Sequence, residues 1–291
     1  MLYTIVKVFS AVVCILPASV CRCFGNALGA LCWPIVPQKR KRMAIHNIIS
    51  SLAVNEKTAA AIAKQSTTRF GKMFLEVLRI PRLNAANIGH HVRMIGGEYL
   101  TEALSHGHGA VLATAHSGNW ELLGAALAMH DYPLVAVVQK QTNAAMDRFI
   151  NEYRTRAGMY VTYKTGVREM IRLLGDGKIV GLLIDQDAGG DGVFVDFLGR
   201  PASTPQGAAA LARLKGAPIV PAFITENSDG SHSAVIHPPV WVNKTTDRDE
   251  DIRVTMQLLT KIVEQHIRKH PQEWFWLHNR WKHRPPKTRN H

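Results

Sequence analysis

The chain has 291 residues and is 46% apolar, which suits one large α/β domain, or a domain with an accessory segment, and excludes a disordered polymer. Its four cysteines, Cys14, Cys21, Cys23 and Cys32, all lie in the apolar N-terminus, which excludes a disulfide framework and thiol catalysis elsewhere. The net charge of +13 is gathered at the two ends. Met1–Asn55 carries six basic residues and no acid, Trp274–His291 carries five and no acid, and the middle is close to neutral. Such ends attract phosphate-bearing partners, at about 1 kcal/mol per Lys or Arg near an anionic membrane.

Leu2–Val36 is overwhelmingly apolar, interrupted mainly by Lys7, Arg22 and Asn26. Tyr3–Val20 reaches the lower limit for a spanning helix, and Pro17 weakens its second half, so the segment either spans or bends into one leaflet. No Ala-x-Ala site follows a proper apolar core, and Cys14 and Cys21 both follow valine, against a cleaved leader or a lipoprotein signal. Residues 1–37 are therefore expected to form an N-terminal membrane-anchor helix. Residues 38–291 form the catalytic body with a basic, aromatic tail. The Lys39–Arg42 run would keep that body on the cytoplasmic side. A buried hydrophobic helix is the bland alternative.

Met43–Leu78 reads as helical from apolar positions three and four apart. Thereafter strands are expected at Gly109–Ala115, Leu134–Val138, Ile179–Ile184, Pro218–Ile224 and Ser233–His237. Helices fall near Asn119–Met129, Ala144–Arg156, Val167–Leu174, Thr204–Lys215 and Glu250–Lys269. This alternation predicts a layered α/β domain with a mostly parallel sheet and flanking helices. Ligands in such sheets sit beyond the carboxyl ends of the strands.

One such end carries chemistry. In GAVLATAHSGNWE an apolar strand runs into His116, then a Ser-Gly-Asn turn, then a helix with Glu121 in its first turns. A carboxylate folded back onto one ring nitrogen would fix the imidazole tautomer and leave the other nitrogen to take a proton from a hydroxyl. His-x4-Glu alone is weak, because His116 could cap the helix and Glu121 could be a solvated first-turn acid. No Gly-x-Ser-x-Gly elbow surrounds Ser117, which argues against a seryl intermediate.

Two further motifs superficially suggest a metal site. Asp185-x-Asp187-x-Gly189-Gly190 superficially resembles a calcium loop, but position five is Gly and position twelve is Asp196 instead of Glu. His90-His91 and His106-x-His108 lack the cysteine or HExxH context of a zinc site. No metal or cofactor is expected. The C-terminal block alternates aromatic and basic residues, including Trp274, Trp276, His278, Arg280, Trp281 and Lys282. It suits single-stranded nucleic acid, a membrane interface, or tryptophans packed into the body. The apolar N-terminus tilts the balance to the membrane interface or a glycolipid, and against nucleic acid.

Three blocks in register now point further: HSGNWE, IDQDAGGDGVFVDFLGRPAST at Ile184–Thr204, and EWFWLHNRWKHRP at Glu273–Pro285. Together they resemble the bacterial lipid A biosynthesis (lauroyl/myristoyl) acyltransferase family over nearly the whole chain. The resemblance implies transfer of a fatty acyl chain from acyl carrier protein to a hydroxyl of a lipid A precursor, at the bacterial inner membrane. It also implies that His116 and Glu121 form a catalytic dyad, and that Arg154 and Asp185 match further family positions. Arg154 could stabilise an oxyanion, bind phosphate or lie idle on a helix. Asp185, at a strand end, could orient Arg154 or the acceptor. Arg156, Asn119, Trp276, His278, Arg280 and Lys282 are the candidate substrate-binding residues. Membrane phospholipid and an anionic glycolipid acceptor are the expected partners besides acyl carrier protein. Glu121→Ala is expected to abolish transfer. Acylation of another glycolipid, a phosphoinositol mannoside type among them, or of a glycerophospholipid is the alternative within the reaction class. The latter usually shows His-x4-Asp and a Pro-Glu-Gly block, both absent from this sequence. A non-catalytic basic membrane-binding or nucleic-acid-binding protein is the alternative outside it.

Overall fold

Pro17 divides the apolar N-terminus. In the computed structural model, which describes residues 1–285, α1 (Leu2–Ile15) ends at Leu16 and α2 (Ala18–Ile35) starts afresh beyond the proline. The expected helix through Tyr3–Val20 is thus two helices. Among the described residues no single helix is long and apolar enough to cross a membrane. Helix α2 and the next, α3 (Gln38–Leu52), pass that test only as a pair bent by 103°. The single helical region expected over Met43–Leu78 is likewise split. Ala53 ends α3 in the left-handed conformation, and the Asn55 side chain accepts from the Thr58 amide to start α4 (Glu56–Arg79).

The N-terminal helices are joined closely to the body, so the division at residue 37 is not a physical boundary. A Cβ on Gly71 of α4 would lie 2.2 Å from the Gly25 carbonyl oxygen, and one on Gly29 would lie 1.8 Å from the Thr68 oxygen. Helices α2 and α4 therefore touch backbone to backbone, which only glycine permits. On α1, Ser10 faces inward and donates to the Leu78 carbonyl at 2.6 Å. Its opposite face exposes Leu2, Ile5, Val8, Phe9, Val12 and Ile15 at helical spacing, and Phe24, Leu28, Leu31 and Ile35 extend this apolar surface along α2.

After α5 (Ile88–His91), the chain alternates strands and helices: β1 (Val92–Ile95), α6 (Gly97–Ser105), β2 (Ala110–Thr114), α7 (Trp120–Met129) and β3 (Leu134–Val138). Then follow α8 (Ala144–Arg156), β4 (Tyr160–Tyr163), α9 (Val167–Gly175) and β5 (Ile179–Leu183). A hairpin of β6 (Val193–Phe197) and β7 (Arg200–Thr204) precedes α10 (Gly207–Lys215), β8 (Ile219–Glu226), β9 (His232–Ile236) and α11 (Arg248–Lys269). Seven strands form one sheet in the order β1-β9-β8-β2-β5-β3-β4, parallel throughout except where β8 meets β9.

Strand β2 sits at the centre, buried at every position, and its side chains alternate between two cores. Ala110 and Leu112 pack with α1, α6, α7, α8 and the second half of α4. Val111 and Ala113 pack with α3, α9, α10, α11 and, unexpectedly, Trp274 and Trp276. The β6–β7 hairpin turns on Leu198 and Gly199, both at positive φ, as a two-residue primed turn requires.

The α2–α4 contact gives a test. Gly71→Leu would drive the helices apart and is expected to cost about 3 kcal/mol or more, read as a lowered midpoint in chemical denaturation. An unchanged midpoint would show that the helices do not touch in solution.

Candidate active site

Strands β2 and β5 are parallel neighbours, with Thr114 opposite Leu183. His116 and Asp185, each two residues beyond its strand, therefore emerge side by side at the carboxyl edge of the sheet. His116 Nδ1 lies 2.8 Å from Asp185 Oδ1, and the His116 amide donates to Oδ2 at 2.9 Å. Trp274 Nε1 donates to that same Oδ2 at 2.7 Å. The Asp185 side chain is 1% exposed and that of His116 23%. Burial alone would raise the Asp185 pKa, but the His116 charge and the hydrogen bonds from His116 and Trp274 hold it below the usual carboxylate value. With Nδ1 so engaged, His116 Nε2 has no protein partner among the described residues, and the ring lines a cavity.

The acid on the imidazole is thus Asp185, not Glu121. Glu121 lies in the first turn of α7, where Arg154 Nε and Nη2 grip its two oxygens at 2.9 and 2.5 Å. A bidentate guanidinium satisfies the carboxylate and turns it from the histidine. Arg154 Nη1 donates to Asn151 Oδ1 at 2.9 Å, so the pair is anchored on α8. Both residues line the same cavity as His116.

That cavity, about 330 Å³, passes between α7 and the strand ends. His116, Trp120, Glu121, Gln139, Gln141 and Arg154 rim it, and Leu112, Leu123, Leu134, Met159 and Leu183 form its apolar walls. Gly124 and Gly181 keep it open: a Cβ on Gly124 would come within 2.8 Å of Met159 Sδ. Its volume and its apolar walls with few polar groups are those of a small-molecule site.

The turn itself is clamped by the C-terminal segment. Gly118 adopts φ +64, and a Cβ there would lie 1.8 Å from the Ile224 oxygen, so no other residue fits. Its amide donates to the Glu273 carbonyl, the Phe275 amide donates to the His116 carbonyl, and Ser117 bridges Trp274. Ser117 Oγ lies 2.9 Å from His266 Nε2, a superficially nucleophilic pair. Burial lowers the His266 pKa to about 3, so the ring is neutral and shares a single hydrogen bond with the hydroxyl. Ser117 is itself buried and lies outside the residues that line the cavity, so it holds the turn.

Most of the expected substrate-binding residues do other work. Asn119 is buried: its oxygen caps α7 by accepting from the Leu122 amide, and its nitrogen donates to Glu76. Trp276 and Arg280 are each 1% exposed. Trp276 Nε1 donates to the Pro271 carbonyl, and Arg280 donates to the Ser203 carbonyl and the Thr204 hydroxyl while lying over the Phe197 ring. Burial lowers the Arg280 pKa to about 10. The tryptophans and Arg280 plug the core, where their bulk excludes water, so the block is not a membrane-facing surface. His278 accepts from the Asp187 amide. Arg156 and Lys282 are exposed, away from the cavity, and Lys287 and Arg289 lie outside the described residues. The oxygens of Asp187 go to His283 and Gly189, and no group of three potential metal ligands occurs among the described residues.

A second polar cluster adjoins the turn and left no signal in the sequence. Glu76 accepts from Asn119 and lies 3.5 Å from His232 Nε2. Burial raises its pKa to about 7, against the opposing hydrogen bond from Asn119. The sign follows from linkage: the folded state holds this proton up to about pH 7, whereas the unfolded chain gives it up near an ordinary carboxylate value. Stability is therefore lost as pH rises through that window. Glu76→Gln is expected to be more stable than the parent by about 1–3 kcal/mol at pH 8 and to lose the advantage near pH 4.5. Denaturation midpoints at the two pH values check it.

The bacterial lipid A biosynthesis acyltransferase model matches residues 1–283. A phosphatidylinositol mannoside acyltransferase of Mycolicibacterium smegmatis is 28% identical over 225 residues, 76% of this chain and 72% of its own. The lipid A biosynthesis lauroyltransferase of Escherichia coli is 28% identical over 200 residues, 68% of this chain and 64% of its own. A crystal structure of a 1-acyl-sn-glycerophosphate acyltransferase from Thermotoga maritima aligns over 78% of this chain and 94% of its own, at 13% identity and a TM-score of 0.39. With a family model matched across nearly its whole length, the chain belongs to the bacterial lipid A biosynthesis acyltransferases.

Proposed function

We propose that this acyltransferase moves a fatty acyl chain from the thioester of acyl carrier protein to a hydroxyl of a lipid A precursor, with no covalent enzyme intermediate. The observation that carries the reading is the His116–Asp185 hydrogen bond at the mouth of an apolar cavity. Asp185 orients the ring, and Nε2 takes the proton as the acceptor oxygen attacks the thioester carbonyl. The carbon–sulfur bond then breaks, and the imidazolium returns its proton to the departing thiolate. The acyl chain occupies the cavity, and the Glu121–Arg154 pair holds the polar end of the donor at the rim. A phosphatidylinositol mannoside type of acceptor is the second reading, favoured by the similarity to the mycobacterial enzyme. The exposed apolar faces of α1 and α2, followed by Lys39–Arg42, support attachment to the cytoplasmic face of the inner membrane as an embedded hairpin.

Four measurements test this. Asp185→Asn is expected to lower kcat/KM by about 10²–10⁴-fold, as His116→Ala does, with the fold intact by circular dichroism. Glu121→Ala is expected to act mainly through donor KM. Should it abolish kcat while Asp185→Asn retains it, the orienting role belongs to Glu121. Gly124→Leu fills the cavity beside Met159, so with acyl donors of graded length the preference is expected to shift at least two carbons shorter; an unchanged preference would place the chain elsewhere. Mass spectrometry of lipids from cells lacking the protein separates the acceptors. An unchanged lipid A profile with a missing acyl chain on an inositol mannoside would select the second reading.

A further inference from the structure

A second cavity lies across the first turn of α7 from the His116 cavity: Glu121 faces one and Leu122 the other. It occupies about 200 Å³ between the start of α2, the second half of α4, α5 and the β8–β9 turn. Ala18, Cys21, Leu75, Leu83 and Leu122 give it an apolar wall, and Arg22, Arg79 and Arg82 bring three guanidinium groups to it.

These cations are built in. Arg79 Nη1 donates to the Val13 and Leu16 carbonyls at 2.9 and 2.6 Å, and Arg82 Nη1 donates to the Cys14 carbonyl, so both cap the end of α1. Their remaining guanidinium nitrogens have no partner among the described residues. Arg22 lies over Gly230 of the β8–β9 turn, where a Cβ would come within 3.0 Å of its Nη1. None of the three arginines forms an ion pair with a carboxylate within 4 Å among the described residues, whereas Lys72, at the same cavity, pairs with Glu226. Glu76 is the one acid in the lining, and a single carboxylate does not cancel three guanidinium groups. Guanidinium groups fixed by carbonyls and left with spare donors are preorganised for a tetrahedral oxyanion.

We infer that this cavity binds the phosphate of a lipid headgroup, at a site separate from the acyl-transfer cavity. The anion chemistry alone would also suit free phosphate. The apolar wall decides for a lipid, because Ala18 and Cys21 in it follow directly on the break between α1 and α2, where Ile15 is 79% exposed. A headgroup phosphate meets the arginines while the first carbons of its chains lie along that surface.

The full chain in a neutral detergent is titrated with dihexanoyl phosphatidic acid by calorimetry, in competition with inorganic phosphate. Binding is expected to weaken at least tenfold in Arg22→Glu, which reverses one cation, and in Ala18→Trp, which fills the mouth, and to be largely kept by Arg22→Lys. Inorganic phosphate is expected to compete only at concentrations at least a hundredfold higher. Equal competition by inorganic phosphate would overturn the lipid assignment in favour of a free anion. No binding, or binding unaffected by both Arg22→Glu and Ala18→Trp, would overturn the site. His116→Ala is expected to bind as the parent does, so the result stands apart from the acyl-transfer reading.

Discussion

The Asp185 carboxylate is the point on which the site is built. It accepts from a side chain and an amide at the end of one strand and from an indole in the C-terminal segment. Alone in this interior it would be costly, since leaving a buried charge without its partners typically costs about 3–5 kcal/mol. The donors make the cost bearable, and each is thereby fixed in place. Sheet order, the turn after β2 and the packing of the tail are thus mutually dependent: displacing any one leaves an unpaired charge in the middle of the molecule.

The same logic separates the two acid–base pairs at the cavity. Asp185 meets a histidine and holds it in one tautomer; Glu121 meets an arginine and forms a bidentate fork of opposite charges. One pair is suited to moving a proton and the other to presenting fixed charge. His116, Glu121 and Arg154 nevertheless line one and the same apolar cavity.

The architecture was largely readable from the chain. Apolar runs marked β2, β3, β5, β8 and β9 within a few residues, and the position of His116 after its strand followed from GAVLATA ending in HSGN. The short strands β1 and β4 escaped, since four residues at a sheet edge carry little periodicity. The partner of His116 escaped for a different reason. A five-residue spacing says nothing about where a carboxylate points, and the true neighbour stands 69 residues away, brought there only by the pairing of β2 with β5. The tail misled because alternating aromatic and basic residues look alike on a membrane surface and in a core. Only the Ser203 and Thr204 acceptors, 77 and 76 residues upstream, make the interior habitable for Arg280. Glu76, Asn119 and His232 come from three separate parts of the chain, so no local pattern could announce them.

The strap formed by residues 273–276 has a consequence for biosynthesis. The ribosome delivers these residues after every strand of the sheet has been made. Until they arrive, the turn that carries His116 lacks the Glu273 and Phe275 backbone bonds, and Asp185 lacks the Trp274 indole. A nascent chain, or one cut short before Trp274, would hold a formed sheet with an unaligned histidine. The order of synthesis thereby leaves the His116 turn unclamped until residues 273–276 have been made.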